Sequence, residues 1–155
     1  MPNTAILPET ASTWLNAHLN EKYNVFLVPG DAGMRAYYRI KTVSAAYILM
    51  HDHDEAQFRQ YIETANKLAQ HDINIPTIHA HCMPHGLLLQ EDLGTTMLSN
   101  RLTIDSVQPL YQSCIKTLLK LQRIPNHAFP VYNHRILLRE VLLPLEWFFT
   151  THCQS

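Results

Sequence analysis

The sequence predicts an α+β protein in which a layer of β-sheet precedes a layer of helices. Five short runs of β-branched, aromatic and aliphatic residues lie between residues 25 and 91, and one long helical pattern separates the first three from the last two. After residue 94, apolar residues recur only at helical spacing. This grouping of strands and helices is typical of an α+β fold, and 155 residues allow one domain or slightly more.

The first predicted element is a short amphipathic helix that follows Pro8. Trp14, Leu15, His18 and Leu19 have helical spacing, and a proline suits a first turn because its missing N–H would be unpaired there. Three strands rich in β-branched and aromatic residues are expected next, with short polar joints that favour antiparallel pairing. They cover residues 25–28, 36–40 and 45–50.

A change of period after residue 54 predicts a helix over residues 55–70. Its apolar residues form the stripe of a helix that buries one face. They are Phe58, Tyr61, Ile62, Ala65, Leu68 and Ala69. Two further strand-like runs, 77–82 and 87–91, are separated by Met83-Pro84-His85-Gly86, whose proline and glycine supply turn geometry. We therefore expect a hairpin after the helix.

Helices are predicted for the rest of the chain. Asp105 or Ser106 can cap a helix that keeps its period up to Arg123, and a loop over 125–130 follows. The last segment, 133–151, is apolar around much of its circumference, and Pro144 is expected to kink or divide it. A helix this apolar needs a partner.

Composition excludes several classes of protein. Twelve basic and 13 acidic residues leave a formal net charge of −1, so the chain has no basic field for nucleic acid or an anionic membrane. Three separated cysteines indicate neither a disulfide framework nor a zinc ribbon, which favours a reducing cytoplasm. The N-terminal residues lack the pattern of a signal peptide, and charged residues and Pro144 interrupt the most apolar stretch, 136–149. We expect no membrane segment.

A glycine-containing turn with two arginines beyond it is the most suggestive short motif. Residues 29–39 read Pro-Gly-Asp-Ala-Gly-Met-Arg-Ala-Tyr-Tyr-Arg, in which backbone N–H groups and Arg35 and Arg39 could face phosphate oxygens. The segment is neither a Walker loop nor a dinucleotide-binding fingerprint, because no G-K-[ST] follows and it joins two strands. By itself it is more simply explained as a hairpin with surface arginines.

Two other segments each allow a functional and a structural interpretation. Leu87 to Gly94 can be a buried strand ending in a polar turn, or a hinge whose backbone binds a flat heterocycle. His79 and His81 share one face of an extended strand and have His85 nearby, which is the residue type that a metal site needs. Such histidine tracts are compositional hints, and we assign no metal ligand to the chain.

Four segments in sequence order resemble the aminoglycoside-phosphotransferase-like kinases. Gly30-Asp31-Ala32 with Arg35, Tyr38 and Arg39 is similar to their G-D-A-S-x-R-x-Y-x-R loop, with Gly33 in place of the serine. The likeness extends to an I-L-M-D segment, a V-P…G-L-L-L-E-D-L-G hinge and an R-E-L…F-x-E-W-F helix. These lie at residues 48–52, 75–94 and 138–148. Within the family, the pattern is most similar to the bacterial cell-wall amino-sugar kinases, which phosphorylate the anomeric hydroxyl of N-acetylmuramate and N-acetylglucosamine.

The resemblance implies a protein-kinase-like N-lobe over residues 1–94, a five-stranded antiparallel sheet with one packed helix. Residues 95–155 would then be the first helices of an incomplete C-lobe. ATP would lie beneath the loop and against the hinge, and Arg35 or Arg39 would supply the charge for which protein kinases use a third-strand lysine, since Met50 stands there. The nucleotide-binding residues implied are Gly30, Asp31, Ala32, Gly33, Arg35, Arg39, Glu91, Asp92 and Leu93.

The catalytic signature of this kinase fold is missing from the 155 residues. Phosphoryl transfer of this kind uses an H-x-D-x-x-x-x-N loop and a later metal-binding Asp, and the sequence contains no H-x-D. We therefore assign no catalytic residue, and expect the ligands of Mg²⁺ in the rest of the C-lobe. The chain is interpreted as a truncated half-enzyme that binds nucleotide weakly and is inactive alone.

The leading hypothesis is a cytoplasmic sugar kinase of peptidoglycan recycling, with ATP and a small amino sugar as its partners and no nucleic acid or membrane. The alternative is a non-catalytic interaction module that docks a partner, or a second copy of itself, through the apolar segment around Trp147, Phe148 and Phe149. A third hypothesis is metal binding through His79, His81 and His85.

Overall fold

A computed structural model describes residues 5–29, 35–125, 129 and 131–153. The chain divides into two compact units, Met1–Leu121 and Gln122–Ser155, and each is described by itself. The first unit contains the sheet and three α-helices. Their bounds are α1 Glu9–His18, β1 Asn24–Val28, β2 Ala36–Lys41, β3 Ala46–His51, α2 Glu55–Gln70, β4 Ile78–Cys82, β5 Leu87–Glu91 and α3 Val107–Gln122.

The five strands form one antiparallel sheet in the order β1-β2-β3-β5-β4. The consecutive strands β1 and β2, β2 and β3, and β4 and β5 each pair antiparallel, so these pairs are hairpins. Along the chain the α2 helix lies between β3 and β4. In the sheet β5 pairs with β3, which leaves β4 at the edge. The α+β class and the five-stranded kinase-like sheet that the sequence predicts are therefore confirmed.

The two faces of the sheet have separate apolar cores, because side chains alternate along each strand. One core joins Leu15 of α1 to Ile40, Leu49 and Leu89 of the sheet. The other core joins Phe58 of α2 to Met50 and Leu88. The sheet thus has a helix on each face, whereas the resemblance implied one packed helix and the sequence left the position of α1 open.

The turn between β4 and β5 is a short 3₁₀ segment, Met83–His85, that ends at Gly86. Gly86 has φ of 57°, in the left-handed region, and a Cβ atom there would lie 1.8 Å from the backbone oxygen of Asp52. The Asp52 N–H donates to the Gly86 carbonyl at 2.9 Å. Both the conformation and this close approach require glycine.

The α3 helix begins at Val107, directly after Ser106. The Ser106 hydroxyl accepts from the Thr103 N–H at 2.8 Å and donates to the Arg101 carbonyl at 2.7 Å, so it stabilises the turn that precedes the helix. No residue of α3 is buried, and Tyr111, Ile115 and Leu118 are about half exposed. The helix is amphipathic, and its apolar face is about half exposed.

The second unit contains α4, His134–Leu143, and a π-helical segment, Pro144–His152. Asn133 caps α4 by accepting from the N–H groups of Arg135 and Ile136. The predicted division at Pro144 takes the form of this change from α to π geometry, since proline has no N–H for the α-helical ladder. In the described ranges, none of the helices combines the length and the apolar character needed to cross a membrane.

Candidate functional site

The two arginines of the predicted phosphate loop lie on the α2 face of the sheet. Arg35 directly precedes β2 and Arg39 lies within it, with Tyr37 between them. Tyr37 packs against the α2 core, and the period of a strand puts residues two apart on the same face. Four residues of extended chain separate the arginines by roughly 13 Å, so they lie at opposite ends of this face.

Arg39 is bound to the predicted hinge. Its Nε donates to Oδ2 of Asp92 at 2.6 Å and its Nη2 donates to Oδ1 at 3.0 Å, which is a bidentate ion pair. The same Nη2 donates to the carbonyl of Gly94 at 3.1 Å. The side chains are 19% and 7% exposed, so solvent reaches little of the pair.

Asp92 also forms a hydrogen-bonded turn within the hinge. Its Oδ1 accepts from the N–H of Gly94 at 2.9 Å, and Gly94 has φ of 83°. Leu93 is the tip of this turn and is 69% exposed. Within the described residues, neither the N–H nor the C=O of Leu93 has a hydrogen-bond partner. The hinge therefore presents an open donor and acceptor on a turn that Arg39 and Asp92 hold in place.

The electrostatics of the hinge follow from these contacts. Burial of the Asp92 carboxyl acts to raise its pKa, but the hydrogen bonds from Arg39 and from the Gly94 N–H, with the charges of Arg39 and Lys41, hold that pKa below its usual value. Asp92 is thus ionised throughout the neutral range, and its charge is matched by Arg39.

Arg35 has a different partner at the other end of the face. Its Nε donates to Oδ2 of Asp52 at 2.6 Å, and its Nη2 approaches the carbonyl of Gln57 at 3.5 Å. The Asp52 side chain is 3% exposed and that of Arg35 is 29% exposed. Asp52 also accepts from the N–H of Asp54 at 2.9 Å. Arg35 is therefore anchored through one short bond, and its side chain remains partly exposed.

A polar chain links Arg35 to the start of the hinge through α2. The Arg35 guanidinium lies 5.5 Å from the centroid of the Tyr61 ring, within cation–π range. The Tyr61 hydroxyl donates to Oε1 of Gln90 at 2.8 Å, and Gln90 is buried at the end of β5. Burial, followed by the charge of Tyr37, raises the pKa of Tyr61, so its phenol stays protonated and remains a donor.

A cavity of about 380 Å³ opens beside Arg35. Tyr61, Ala65 and Leu68 of α2 form one wall, and Ile75 and Pro76 form another. The remaining lining residues are polar or charged side chains, namely Arg35, Gln57, Gln60 and Thr64. The cavity thus has largely apolar walls and a guanidinium at one end.

The remaining predicted site residues occupy distinct places. Glu91 accepts from the N–H and the hydroxyl of Thr77, both at 3.1 Å, so its carboxylate joins the hinge to the start of β4. Met50, on β3, is fully buried against α2. Four predicted loop residues lie outside the described residues. They are Gly30, Asp31, Ala32 and Gly33.

Three residues of the site were not predicted from the sequence, namely Asp52, Tyr61 and Gln90. Residues 51–54 read His-Asp-His-Asp directly before α2, a pattern typical of a helix cap, and Asp54 caps α2 by accepting from the Gln57 N–H. Asp52, two residues earlier, anchors Arg35 instead. The pairing of Ala36 with His51 could have indicated this, because it places Arg35 beside Asp52 once the β2–β3 register is known.

The histidines of β4 are exposed on the edge strand. His79 lies edge-on to Tyr47, with 5.2 Å between ring centroids, and His81 is exposed two residues further. Across the described ranges, no three histidine, cysteine, aspartate or glutamate side chains are grouped in a way that could hold a metal ion.

Comparison with known proteins supplies the family context of this arrangement. A sequence model of the phosphotransferase enzyme family matches residues 26–149. An N-acetylmuramate/N-acetylglucosamine kinase of Pseudomonas putida is 29% identical over 161 aligned positions, which cover 96% of this chain and 48% of that protein. A kinase of the same name from Pseudomonas aeruginosa is 25% identical over 130 positions, covering 81% of this chain and 38% of that protein. The chain spans about half the length of the curated relatives it matches.

Proposed function

This chain belongs to the phosphotransferase enzyme family, and from that premise we propose that it supplies the nucleotide-binding part of an ATP-dependent sugar kinase. The observation that carries the proposal is the open hinge at Leu93 on the same sheet as a partly exposed, anchored Arg35. The first can bind a heterocycle and the second an anion, and ATP combines these two groups. The acceptor is proposed to be a cell-wall amino sugar, because both relatives are named for N-acetylmuramate and N-acetylglucosamine.

The adenine is proposed to lie at the hinge. Beside the hinge, cross-strand neighbours form a row of residues across the sheet. In this row Phe26 pairs with Arg39, Arg39 with Ile48, and Ile48 with Gln90. Phe26 and Ile48 are half-buried, so they leave an apolar surface next to the turn at Leu93. An apolar surface beside a backbone donor and acceptor is the usual setting for a purine. Glu91 and Asp92 shape this turn rather than contact the base.

The phosphates are proposed to lie toward Arg35. Asp52 holds its guanidinium by one bond, so the other N–H groups can donate to phosphate oxygens. Since Met50 is buried and uncharged, Arg35 is the cation on this end of the face that can replace the lysine of protein kinases. The loop residues Gly30, Asp31, Ala32 and Gly33 remain proposed phosphate contacts through their backbone N–H groups.

We assign neither a catalytic base nor a magnesium ligand to these residues. The sequence contains no H-x-D, and the described residues contain no cluster of metal-ligating side chains. Magnesium would bridge the ATP phosphates and neutralise their charge during transfer. In this proposal, residues 1–94 form a lobe that binds nucleotide, and helical residues 95–155 follow it. The protein acts in the cytoplasm, and these 155 residues alone do not phosphorylate a sugar.

Nucleotide binding by the purified 155-residue chain tests this proposal. We expect Mg-ATP to bind weakly in calorimetry, and Arg35→Ala to lower the affinity about tenfold, because a charge-assisted contact is lost. Arg59→Ala is the matched control, since Arg59 pairs with Glu55 on the exposed face of α2. Undetectable ATP binding by the unmodified chain, or equal affinity in the Arg35 variant, would contradict the proposal. ATP consumption that depends on N-acetylmuramate or N-acetylglucosamine would contradict the inactivity of the isolated chain.

A second candidate function rests on the apolar side chains of the second unit. Val141 and Trp147 are 68% and 62% exposed, and Phe148 is 53% exposed. Exposed apolar groups in this density are typical of a protein interface. An interaction module would associate in sedimentation measurements, and Trp147→Ser would weaken that association without changing ATP affinity.

A further inference from the structure

The two arginines of the loop motif have different hydrogen-bond partners. This difference bears on how the adenine base of a nucleotide would be bound. Arg39 makes three bonds of 2.6–3.1 Å, all of them to Asp92 and Gly94 of the hinge. Arg35 makes one short bond, to Asp52, which is remote from the hinge in the chain and in the sheet. The motif alone suggests two equivalent phosphate ligands.

We propose that Arg39 is a positioning residue that fixes the hinge for purine binding, and that it is not a phosphate ligand. This inference rests on the proposed nucleotide-binding function. It assigns one arginine to each end of the nucleotide. Arg39 sets the base end and Arg35 the phosphate end.

The first argument is the geometry of the clamp. The Asp92 carboxylate receives Nε and Nη2 of Arg39 and the N–H of Gly94, so both of its oxygens are committed. Nη2 of Arg39 also donates to the carbonyl of Gly94. The residues on both sides of Leu93 are therefore tied to one rigid guanidinium, and Leu93 between them is exposed, with no hydrogen-bond partner for its backbone among the described residues.

The second argument is the conformation that the clamp maintains. Gly94 has φ of 83°, with no atom within 4 Å of where a Cβ would lie, so close packing of neighbours does not impose this turn. An exposed turn held by few contacts samples several conformations unless side chains restrain it. A ligand that binds the Leu93 backbone would then have to pay for its ordering, and the Arg39 clamp removes that cost in advance.

The third argument is distance. Arg39 lies in the row that also contains Phe26 and Ile48, the row beside the hinge. Four extended residues, roughly 13 Å, separate it from Arg35. Because the two guanidinium groups are also bound to different carboxylates, Asp52 for Arg35 and Asp92 for Arg39, they are not directed at the same phosphate.

The test compares two ligands that share phosphates but differ in the base. Mg-ATP and magnesium tripolyphosphate are titrated into the 155-residue chain and into Arg39→Ala, Arg39→Lys and Arg35→Ala, at equal ionic strength. We expect Arg39→Ala to lower ATP affinity about tenfold, through loss of preorganisation, and to leave tripolyphosphate affinity unchanged. We expect Arg35→Ala to lower the affinity for both ligands.

Arg39→Lys separates charge from geometry. Lysine keeps the positive charge but cannot form the two parallel bonds to Asp92. If Arg39 binds phosphate, lysine should largely restore the ATP affinity. If Arg39 holds the hinge, lysine should not restore it, so we expect Arg39→Lys to show the same selective loss of ATP affinity. Asp92→Asn removes the clamp from the other side and should reproduce it. Thermal melting of each variant verifies that the loss is measured on folded protein, and Arg59→Ala should match the unmodified chain.

Three results would overturn the inference. If Arg39→Ala weakens tripolyphosphate as much as ATP, Arg39 is a phosphate ligand. If Arg39→Ala or Arg39→Lys leaves ATP affinity unchanged, the hinge does not depend on the clamp. If the unmodified chain binds tripolyphosphate but gains nothing from the base, the hinge is not a purine site. Failure of the proposed nucleotide-binding function would give a different result, because the unmodified chain would then bind neither ATP nor tripolyphosphate. That result would also overturn the inference about Arg39.

Discussion

The two ends of the α2 face use the same pair of residue types in different ways. At the hinge end, Arg39 grips Asp92 with a bidentate pair and a further bond to Gly94. At the α2 end, Arg35 makes one short bond to Asp52, and its side chain is more exposed, 29% against 19%. The comparison shows that the Asp92 carboxylate engages two donor groups of Arg39, whereas the Asp52 carboxylate engages one donor group of Arg35.

Each end is also supported by a glycine with positive φ, and these glycines differ in what surrounds them. A Cβ on Gly86 would meet the backbone oxygen of Asp52 at 1.8 Å, whereas a Cβ on Gly94 would meet nothing within 4 Å. The backbone at Gly86, which contacts the partner of Arg35, is therefore tightly packed, whereas the backbone at Gly94, which Arg39 contacts, has open space around it.

The largest effect is expected from alanine at these glycines. Gly86→Ala adds a clash with backbone to the strain of a left-handed residue, and should lower the free energy of unfolding by about 3 kcal/mol or more. Gly94→Ala adds strain alone and should cost about 1 kcal/mol. Urea unfolding of both variants measures the difference. Equal losses would show that packing at Asp52 does not distinguish the two ends.

An intermediate effect is expected from Asp52→Asn. The asparagine oxygen can still accept from the Asp54 N–H, but the ion pair with Arg35 is lost at a carboxylate that is only 3% exposed. We expect a loss of about 2 kcal/mol in the free energy of unfolding, since Arg35 remains partly solvated. The exposed pair of Glu55 and Arg59 is the control, and Glu55→Gln should cost below about 0.5 kcal/mol. A similar small loss in both variants would mean that the Arg35 pair acts as a surface pair.

The smallest effect is expected from the charge of Asp92 as pH falls. Because its pKa in the folded protein is held below the unfolded value of about 3.9, the stabilisation is complete above that pH. It should be lost as pH falls through the lower folded value. Acid titration of the midpoint of urea unfolding, compared between the unmodified chain and Asp92→Asn, measures this. A difference between the two that stays constant from neutral pH to the acid end of the titration would contradict the assignment to Asp92.

Much of the fold could be predicted because its signals are local. The stripe from Phe58 to Ala69 predicts α2, and the observed helix covers the same residues, Glu55–Gln70. The runs before Pro29 and around Gly86 predict strands and turns within one or two residues of their observed bounds. These features depend on the spacing of neighbours in the chain, which sequence displays directly.

The surroundings of the site could be predicted less well. Arg35, Arg39 and Asp92 are named by the motif, but their contacts depend on residues 17 and 53 positions away. Asp52 was missed because an aspartate before a helix is equally consistent with a cap. Tyr61 was assigned to the apolar stripe of α2, whereas its hydroxyl donates to buried Gln90.

The order of the strands and helices along the chain, the period of each, and the motifs that indicate the family can all be read from the linear sequence. Those properties follow from residues close together in the chain, whose side-chain periodicity and turn chemistry are local. The folded chain was needed to show that β5 lies between β3 and β4 and that α1 and α2 cover opposite faces of the sheet. It was also needed to show that Arg39 binds Asp92 while Arg35 binds Asp52. Such pairings arise from strand register and burial, which bring together groups that the linear spacing does not relate.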